Sequence, residues 1–589
     1  MIFPIPKSEK YFNGYYCLKN DNVMSFDLIE FYRYVKSGNS EFRLIRESRF
    51  GNEEYLIQIN ENEICITFSG DESLFRAVTT IRQMISEYNG CLKYTEIHDF
   101  PDFERRGYML DISRGRIPKP ETIKKIIDCL ATLKYNEFQL YMDNFCFKYK
   151  NFTKYTQNFD CLTDEDIVEI KNYCKERFID FVPCQNSLGH MRAWLNQKEF
   201  SHLEIKSKDD RTNTLNPLLP ETLSFMDDIY GSLLPLFDSE YVNIGLDEAE
   251  GLGKYQTKDF CDKFGCETLF INYLAKLNAL TEQKYGKKVM FWADMLNRYE
   301  TIYQQIPKGA IALEWGYDLI QCQKMTEHCI DLKKKNIPFY VCPSCNIHNS
   351  FTGRTDVMLF NIRTAGEVGK KYGARGFLLT DWGDNGHPQF WVWSMAPMAL
   401  GAQYAWNSGE KQPGWKLKKD FIKAAWEFTD KCFFGGKSIS KILELLGNYY
   451  LLEREREHNA TVTSHSFSKS LIKDEANEND DVFTFKNIIE YVTHYTDFIE
   501  KAEIDNDLKA QIIINSNMVI LASHFGILRL DRGQYTNKDI QNLINKIREM
   551  KCNYLDLWCK YNFKTGSEIV LNNLDEKIRE LNAINAEEI

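Results

Sequence analysis

Two neighbouring carboxyls, Asp247 and Glu248, end the apolar run YVNIGLDE at 241–248. Burial at a strand end makes ionising both of them costly, and close like charges push two pKa values apart. One member of such a pair can stay protonated near neutral pH and act as a general acid. Glycoside hydrolysis commonly uses two carboxyls on opposite sides of the bond, about 5–5.5 Å apart for retention or about 6.5–9.5 Å for inversion. Side chains of consecutive strand residues diverge yet share one rim, so a nucleophile facing an acid is not their natural arrangement. A substrate-assisted route fits better. In it a sugar's own 2-acetamido oxygen attacks C1, one carboxylate steadies that group, and the other acid protonates the leaving oxygen. Metal ligation or a surface charge pair is the competing reading of the same residues.

Something must hold such a pair at a rim. Between 99 and 410, short apolar runs alternate with helix-like stretches. The runs are YMLDIS (108–113), EFQLYMD (137–143), DFVPCQ (180–185), YVNIGLDE (241–248), VMFWADM (289–295), IALEWG (311–316), PFYVCPS (338–344) and GFLLTDWGD (376–384). Near-continuous apolar strands between helices imply a parallel sheet covered on its faces. Eight repeats over about 300 residues suit a closed (β/α)₈ TIM barrel of the α/β class. An open doubly wound sheet is the competitor, but DISRGRIP after the first strand is not its Gly-rich turn. Active sites of such barrels sit at the C-terminal strand ends. The sequence puts Arg114, Asp143, His190, Asp247–Glu248, Trp292 with Asp294, Trp315, and Trp382 with Asp384 at those places.

Residues 1–98 read as a small N-terminal α+β domain, with YLIQIN and EICITF as strands and ESLFRAVTTIRQMISEY as a helix. HDFPDFERRG reads as the link into the barrel. Residues 411–589 lose the strand pattern and read as an all-helical C-terminal domain, with the acidic stretch KDEANENDD as an exposed loop.

Composition narrows the function classes. A net charge of −11 over 589 residues, without long basic runs, argues against nucleic-acid binding. Ten Trp suit stacking on sugar rings, although most of the 39 Phe and 32 Tyr belong in cores. The N-terminus lacks a signal-peptide pattern, and no run approaches the ~18 consecutive apolar residues of a membrane span, so a soluble, cytoplasmic chain is expected. The 17 Cys, an odd number scattered through strands and helices, suit reduced thiols better than a disulfide framework. Cys342 and Cys345 have CxxC spacing, but no second pair or His set completes a zinc site.

RRGYMLDISR (105–114), the Asp-Glu of YVNIGLDEAEGLGKY, and LTDWGDNGH (379–387) resemble the signature segments of family 20 glycoside hydrolases, nearest to their bacterial β-N-acetylhexosaminidase branch. GDESLFRAVTTIRQM resembles the helix that precedes the barrel in that family, so the likeness spans roughly 50–410. The resemblance implies an exo-acting, retaining enzyme that removes terminal β-linked GlcNAc or GalNAc through an oxazolinium intermediate. It implies Glu248 as acid/base and Asp247 as the residue orienting the acetamido group. Arg114 takes the place of the arginine that grips sugar hydroxyls, and His190 that of a histidine bordering the carboxylates. Trp292, Trp315 and Trp382 fall where aromatic walls enclose the acetamido methyl, Asp384 matches an acidic hydroxyl ligand, and Asp143 is a further one. No cofactor or metal is implied. The expected partners are a small oligosaccharide or glycoconjugate substrate and a second copy of the chain in a homodimer, with no nucleic acid and no membrane.

The chain departs from the family pattern at two places. His348, in NIHNSFTGRTD, stands where related enzymes carry Trp. The tyrosine that contacts the acetamido oxygen has two candidates, Tyr317 and Tyr340. Three other readings compete: a relative specific for a modified sugar such as a sulfated one, a non-catalytic glycan-binding protein, and a metal-dependent hydrolase. The intact carboxylate pair weighs against the second and the shortage of His, ten in all, against the third.

Overall fold

The computed structural model describes residues 2–38, 40–87, 90–409, 419–472 and 481–587. Five strands form the first sheet: β1 (Ser8–Cys17), β2 (Phe42–Arg46), β3 (Tyr55–Ile59), β4 (Ile64–Phe68) and β5 (Cys91–Asp99), in the order β1-β5-β3-β4-β2. The period-2 alternation of YLIQIN and EICITF becomes β3 and β4, paired antiparallel. The helix Asp71–Glu87 buries Leu74, Phe75, Val78 and Ile81, an i, i+1, i+4, i+7 stripe. β1, β2 and β5 complete the sheet around the two strands visible in the sequence. One feature of β1 corrects the cysteine reading: Cys17 and Cys91 face each other across β1 and β5 and are joined as a disulfide.

The barrel closes through β6 (Arg105–Asp111), β7 (Glu137–Met142), β8 (Asp180–Gln185), β11 (Tyr241–Asn243), β12 (Lys288–Trp292), β13 (Ile311–Trp315), β14 (Phe339–Cys342) and β15 (Gly376–Asp381), all parallel. A short antiparallel hairpin, β9 (Glu204–Lys206) and β10 (Arg211–Leu215), rises from the segment between β8 and β11. All eight barrel strands fall on the eight apolar runs. Every residue of β7 and β15 is buried, because helices cover the outside and side chains fill the inside. Met109, Tyr141, Val182, Met290, Trp292, Leu313, Cys342 and Leu378 form that inner core, separate from the cluster under the helices. Cys342 lies in the inner core and Cys345 in the outer one, so the CxxC pair is divided between two packing environments and both thiols are free.

The N-terminal unit is joined to the barrel by buried charge. Arg76, from the helix Asp71–Glu87, and Arg106, from β6, each donate to Glu53 across 2.7 Å. Burial opposes the Glu53 charge, yet the two guanidiniums hold its carboxyl below the usual range.

The described residues of the C-terminal region form helices joined by loops, with no strand among them: Lys419–Phe433, Ile439–Leu446, Val462–Ser468, Val482–Lys501, Asn506–Leu530, Asn537–Tyr561 and Ser567–Glu587. The expected changeover at 411 and residues 473–480 of the acidic stretch lie outside the described residues. Asn506–Leu530 is long and apolar enough to cross a membrane, but 78% of its apolar window is buried against the rest of the chain, the environment of a core helix. Its Asn515 docks the region on the barrel. The side-chain oxygen accepts from Phe390 N and Trp393 Nε1, each at 3.0 Å, and the amide nitrogen donates to Pro388 O.

Candidate active site

After Asn243 the β11 segment leaves extended geometry. Gly245, Leu246 and Glu248 all have positive φ, at 70°, 75° and 48°. Such backbone costs on the order of 1–3 kcal/mol per non-glycine residue and is retained where surrounding contacts over-determine it. Gly245 has no alternative here, since a Cβ would stand 2.5 Å from Asn186 Oδ1. The carboxylate pair therefore sits on a strained loop beyond the strand, not on the strand itself. Asn186, just after β8, fixes it: the side-chain oxygen accepts from Leu246 N, while Nδ2 donates to Asp247 Oδ1 at 2.8 Å and Tyr141 OH at 2.9 Å.

The two carboxyls converge on one imidazole. His190 Nε2 lies 3.2 Å from Asp247 Oδ2 and 3.4 Å from Glu248 Oε2. Burial disfavours a charged His190, but the Asp247 carboxylate and the hydrogen bonds to both acids outweigh it and raise its pKa to about 10. Burial likewise opposes ionised Asp247, and the charge of His190 holds it below its usual value. Asp247 is 7% exposed, whereas the Glu248 side chain is 49% exposed and reaches open space.

Glu248 and Asp247 open onto a cleft of about 260 Å³ at the C-terminal strand ends, lined also by Arg114, His190, Trp292, Trp315, Tyr317, His348, Trp382 and Asp384. Eight of the nine positions expected to form the site line this cleft; Asp143 does not. It lies one layer back, with its Oδ2 3.2 Å from Arg114 Nη2, while Asp111 Oδ2 flanks Nη1 at 3.4 Å. Arg114 is thus aimed by two acids and lies over the rings of Tyr141 and Trp382. The aromatic wall is continuous: Trp292 and Trp382 are 5.7 Å apart, and Trp315 stacks on Tyr317 at 5.0 Å. Of the two candidate tyrosines, Tyr317 lies in the cleft and accepts from Trp382 Nε1 at 2.7 Å. Tyr340 is at the other end of the barrel, donating to Glu137.

Asp294, placed at the rim by sequence but given no role there, supports the pair from behind: its Oδ2 accepts from the Glu248 backbone N–H at 3.0 Å. Burial and the Asp247 charge push its pKa up to about 8. Gln321, His458 and Asn459 line the cleft. The last two come from the helical region, where His458 Nδ1 stands 2.6 Å from Asp318 Oδ2. No motif marks them; only the tertiary contact does. Larger cavities of about 690 Å³ and 410 Å³ lie at the barrel's opposite mouth and against the helical region, and neither holds the carboxylate pair.

The C-terminal mouth of the eight-stranded barrel thus brings together two acids, an imidazole and a tryptophan wall, groups able to move a proton beside an apolar, ring-stacking surface. Residues 103–340 match the family described as "Glycosyl hydrolase family 20, catalytic domain". The match covers the barrel from its start to the beginning of β14, and Asp384, Trp382 and His348 lie beyond the matched span. The chain is 25% identical to β-hexosaminidase subunit alpha of Bos taurus over 285 residues, 43% of this chain and 52% of that one. It is 24% identical to the β-hexosaminidase of Vibrio furnissii over 314 residues, 45% of this chain and 51% of that one. The chain thus spans about half the length of these curated relatives. Among solved structures, the β-N-acetylhexosaminidase of Bacteroides fragilis superposes with a TM-score of 0.59 at 19% identity, covering 74% of this chain and 95% of that one. The chitobiase of Flavobacterium johnsoniae gives 0.58 at 16% identity, covering 98% and 99%, a likeness of fold.

Proposed function

We propose that this chain is an exo-acting, retaining β-N-acetylhexosaminidase that removes terminal β-linked GlcNAc or GalNAc by substrate-assisted catalysis. The arrangement of Asp247, His190 and Glu248 carries the reading. Asp247 is buried, ionised and clamped by Asn186 and His190, so it suits a fixed partner for an amide N–H and for the positive charge of a cyclised oxazolinium. Glu248 is half-exposed at the cleft, where a leaving oxygen would need a proton. Trp292, Trp315 and Trp382 would enclose the acetamido methyl, keeping water from C1 while the internal nucleophile attacks. The names of the two curated relatives given above, both β-hexosaminidases, support the same substrate class.

His458 and Asn459 line the cleft, and we infer that they close one side of it, which suits a chain end better than a continuous polymer. We assign no metal or cofactor to the site. We also propose a homodimer formed through the helical region and a cytoplasmic location. The latter rests on fifteen free cysteines and requires Cys17 and Cys91 to be reduced there. The deciding experiment is a panel of 4-nitrophenyl glycosides differing at C2 and C4, with a thiazoline mimic of the cyclised intermediate as inhibitor. Turnover should require the 2-acetamido group and be inhibited by the thiazoline far more strongly than by GlcNAc. Equal turnover of plain glucosides would overturn the reading.

A further inference from the structure

The loop after β14 holds a buried polar pair that the reaction above does not use. His348 lines the cleft at 3% exposure, and its ring meets that of Tyr317 edge-on at 5.6 Å. Arg354 Nη2 stands 2.9 Å from His348 Nε2, and the same nitrogen reaches Asn346 Oδ1 at 3.3 Å. A guanidinium has donors and no acceptor, so His348 Nε2 must be the acceptor. The neutral ring then carries its single proton on Nδ1. Burial and the Arg354 charge both act against a second proton, keeping the pKa well below the usual histidine value. His348 Nδ1 has no hydrogen-bond partner among the described residues.

A buried donor without a partner is costly, and a cleft is where its partner can arrive with a ligand. The next residue, Asn349, donates to Asp384 Oδ2 at 2.9 Å, which places His348 on the Asp384 side of the cleft. We propose that His348 is a specificity-determining residue: its Nδ1–H, in the tautomer imposed by Arg354, donates a hydrogen bond to a ring hydroxyl of the terminal sugar on the Asp384 side. The inference rests on the hexosaminidase reading of the cleft. It makes Arg354 a positioning residue, since its guanidinium fixes which nitrogen of His348 bears the proton.

The test is a cycle between protein and substrate. kcat/KM is measured for the full chain and its His348→Phe and His348→Asn variants on 4-nitrophenyl N-acetylhexosaminides, intact or deoxygenated at C3, C4 or C6. The wild type should lose roughly tenfold or more on one deoxy sugar. His348→Phe should lose about as much on the intact sugar and nothing further on that deoxy sugar. His348→Asn, whose amide nitrogen takes the place of Nδ1, should recover part of the loss. Additive penalties in His348→Phe, or wild-type behaviour on the intact sugar, would overturn the proposal alone. A wild type that hydrolyses no hexosaminide would overturn the functional reading and this inference with it. If the variants fail to fold, ¹⁵N-histidine NMR of the wild type decides: His348 should remain Nδ1-protonated from pH 5 to 8 and shift on adding GlcNAc, and an unshifted Nδ1 refutes the role.

Discussion

Asp294 accepts a hydrogen bond from the backbone N–H of Glu248 across 3.0 Å while itself carrying a carboxyl whose pKa is pushed up to about 8. Its second oxygen is buried beside the Asp247–Glu248 loop and has no hydrogen-bond partner among the described residues. Its proton is retained on folding, so the folded chain binds more protons than the unfolded one between the ordinary aspartate pKa and about 8. Stability therefore falls as pH rises through that window, with the whole penalty present above about pH 8. Asp294→Asn keeps an acceptor for Glu248 N–H and cannot ionise. Thermal denaturation from pH 6 to 9 should show a flatter alkaline side for this variant than for the wild type. Parallel curves would mean that Asp294 does not titrate there.

Glu248→Gln should lower kcat on unactivated N-acetylhexosaminides by ~10²–10⁴-fold, the usual worth of general acid catalysis. Its side chain is 49% exposed, so the fold should survive and the melting temperature move little. The deficit should shrink with leaving groups that need no proton. Full activity of this variant on a natural disaccharide would remove Glu248 from the acid role.

Asp247→Asn acts on two neighbours at once. It removes the negative charge closest to His190, so the imidazole loses its main stabilising partner and its pKa should drop from about 10. It also weakens the stabilisation of the cyclised acetamido group. We expect a fall in kcat on acetamido substrates, weaker thiazoline inhibition, and a β-anomer still released first in an NMR time course. First release of the α-anomer would exclude retention through an internal nucleophile.

The barrel was legible because parallel strands buried on both faces read as unbroken apolar runs, and β7 and β15 are buried at every residue. The rim was legible where a polar or aromatic residue broke such a run, as at Trp292 and Trp382. What the sequence hid was backbone path. YVNIGLDE reads as one strand, yet strand pairing stops at Asn243 and the positive φ values of Gly245, Leu246 and Glu248 turn the next residues, so that both carboxyls reach one imidazole. Consecutive strand residues would have diverged. β1, with most of its side chains exposed, lacked the buried face that makes a strand visible, and its Cys17 gave no sign of facing Cys91.

Phe483 and Phe498 are 73% and 51% exposed on the helix Val482–Lys501 and lie within about 60° of each other around its axis. Apolar side chains so placed on a region already packed against the barrel suit a self-association face. Light scattering at micromolar concentration should give twice the 69.2 kDa chain mass, and the double change Phe483→Ser with Phe498→Ser should shift it towards one chain. A clean single-chain mass for the wild type would refute the homodimer.

The helical region should matter for binding as well as for assembly. His458 and Asn459 line the cleft, and the segment carrying them is anchored to the barrel at Asn349: its carbonyl accepts from Thr461 N at 3.0 Å and from Ser464 Oγ at 2.6 Å. Asn349 in turn holds Asp384 at 2.9 Å, so the wall and this acid of the cleft share one support. His458 also pairs with Asp318, which caps the helix Leu319–Lys334 by accepting from Gln321 N at 2.8 Å. With its side chain 66% exposed, His458 can be removed at little cost in stability, since exposed ion pairs contribute about 0–1 kcal/mol. His458→Ala should therefore leave the melting temperature nearly unchanged. It opens the wall without touching Asp247 or Glu248, so KM should rise severalfold with kcat conserved, the signature of lost uniform binding. The rise should be larger for a disaccharide than for a 4-nitrophenyl monosaccharide if His458 borders the leaving group, and equal for both if it borders the terminal sugar. An unchanged KM for both substrates would show that the helical region closes the cleft without contacting what binds there.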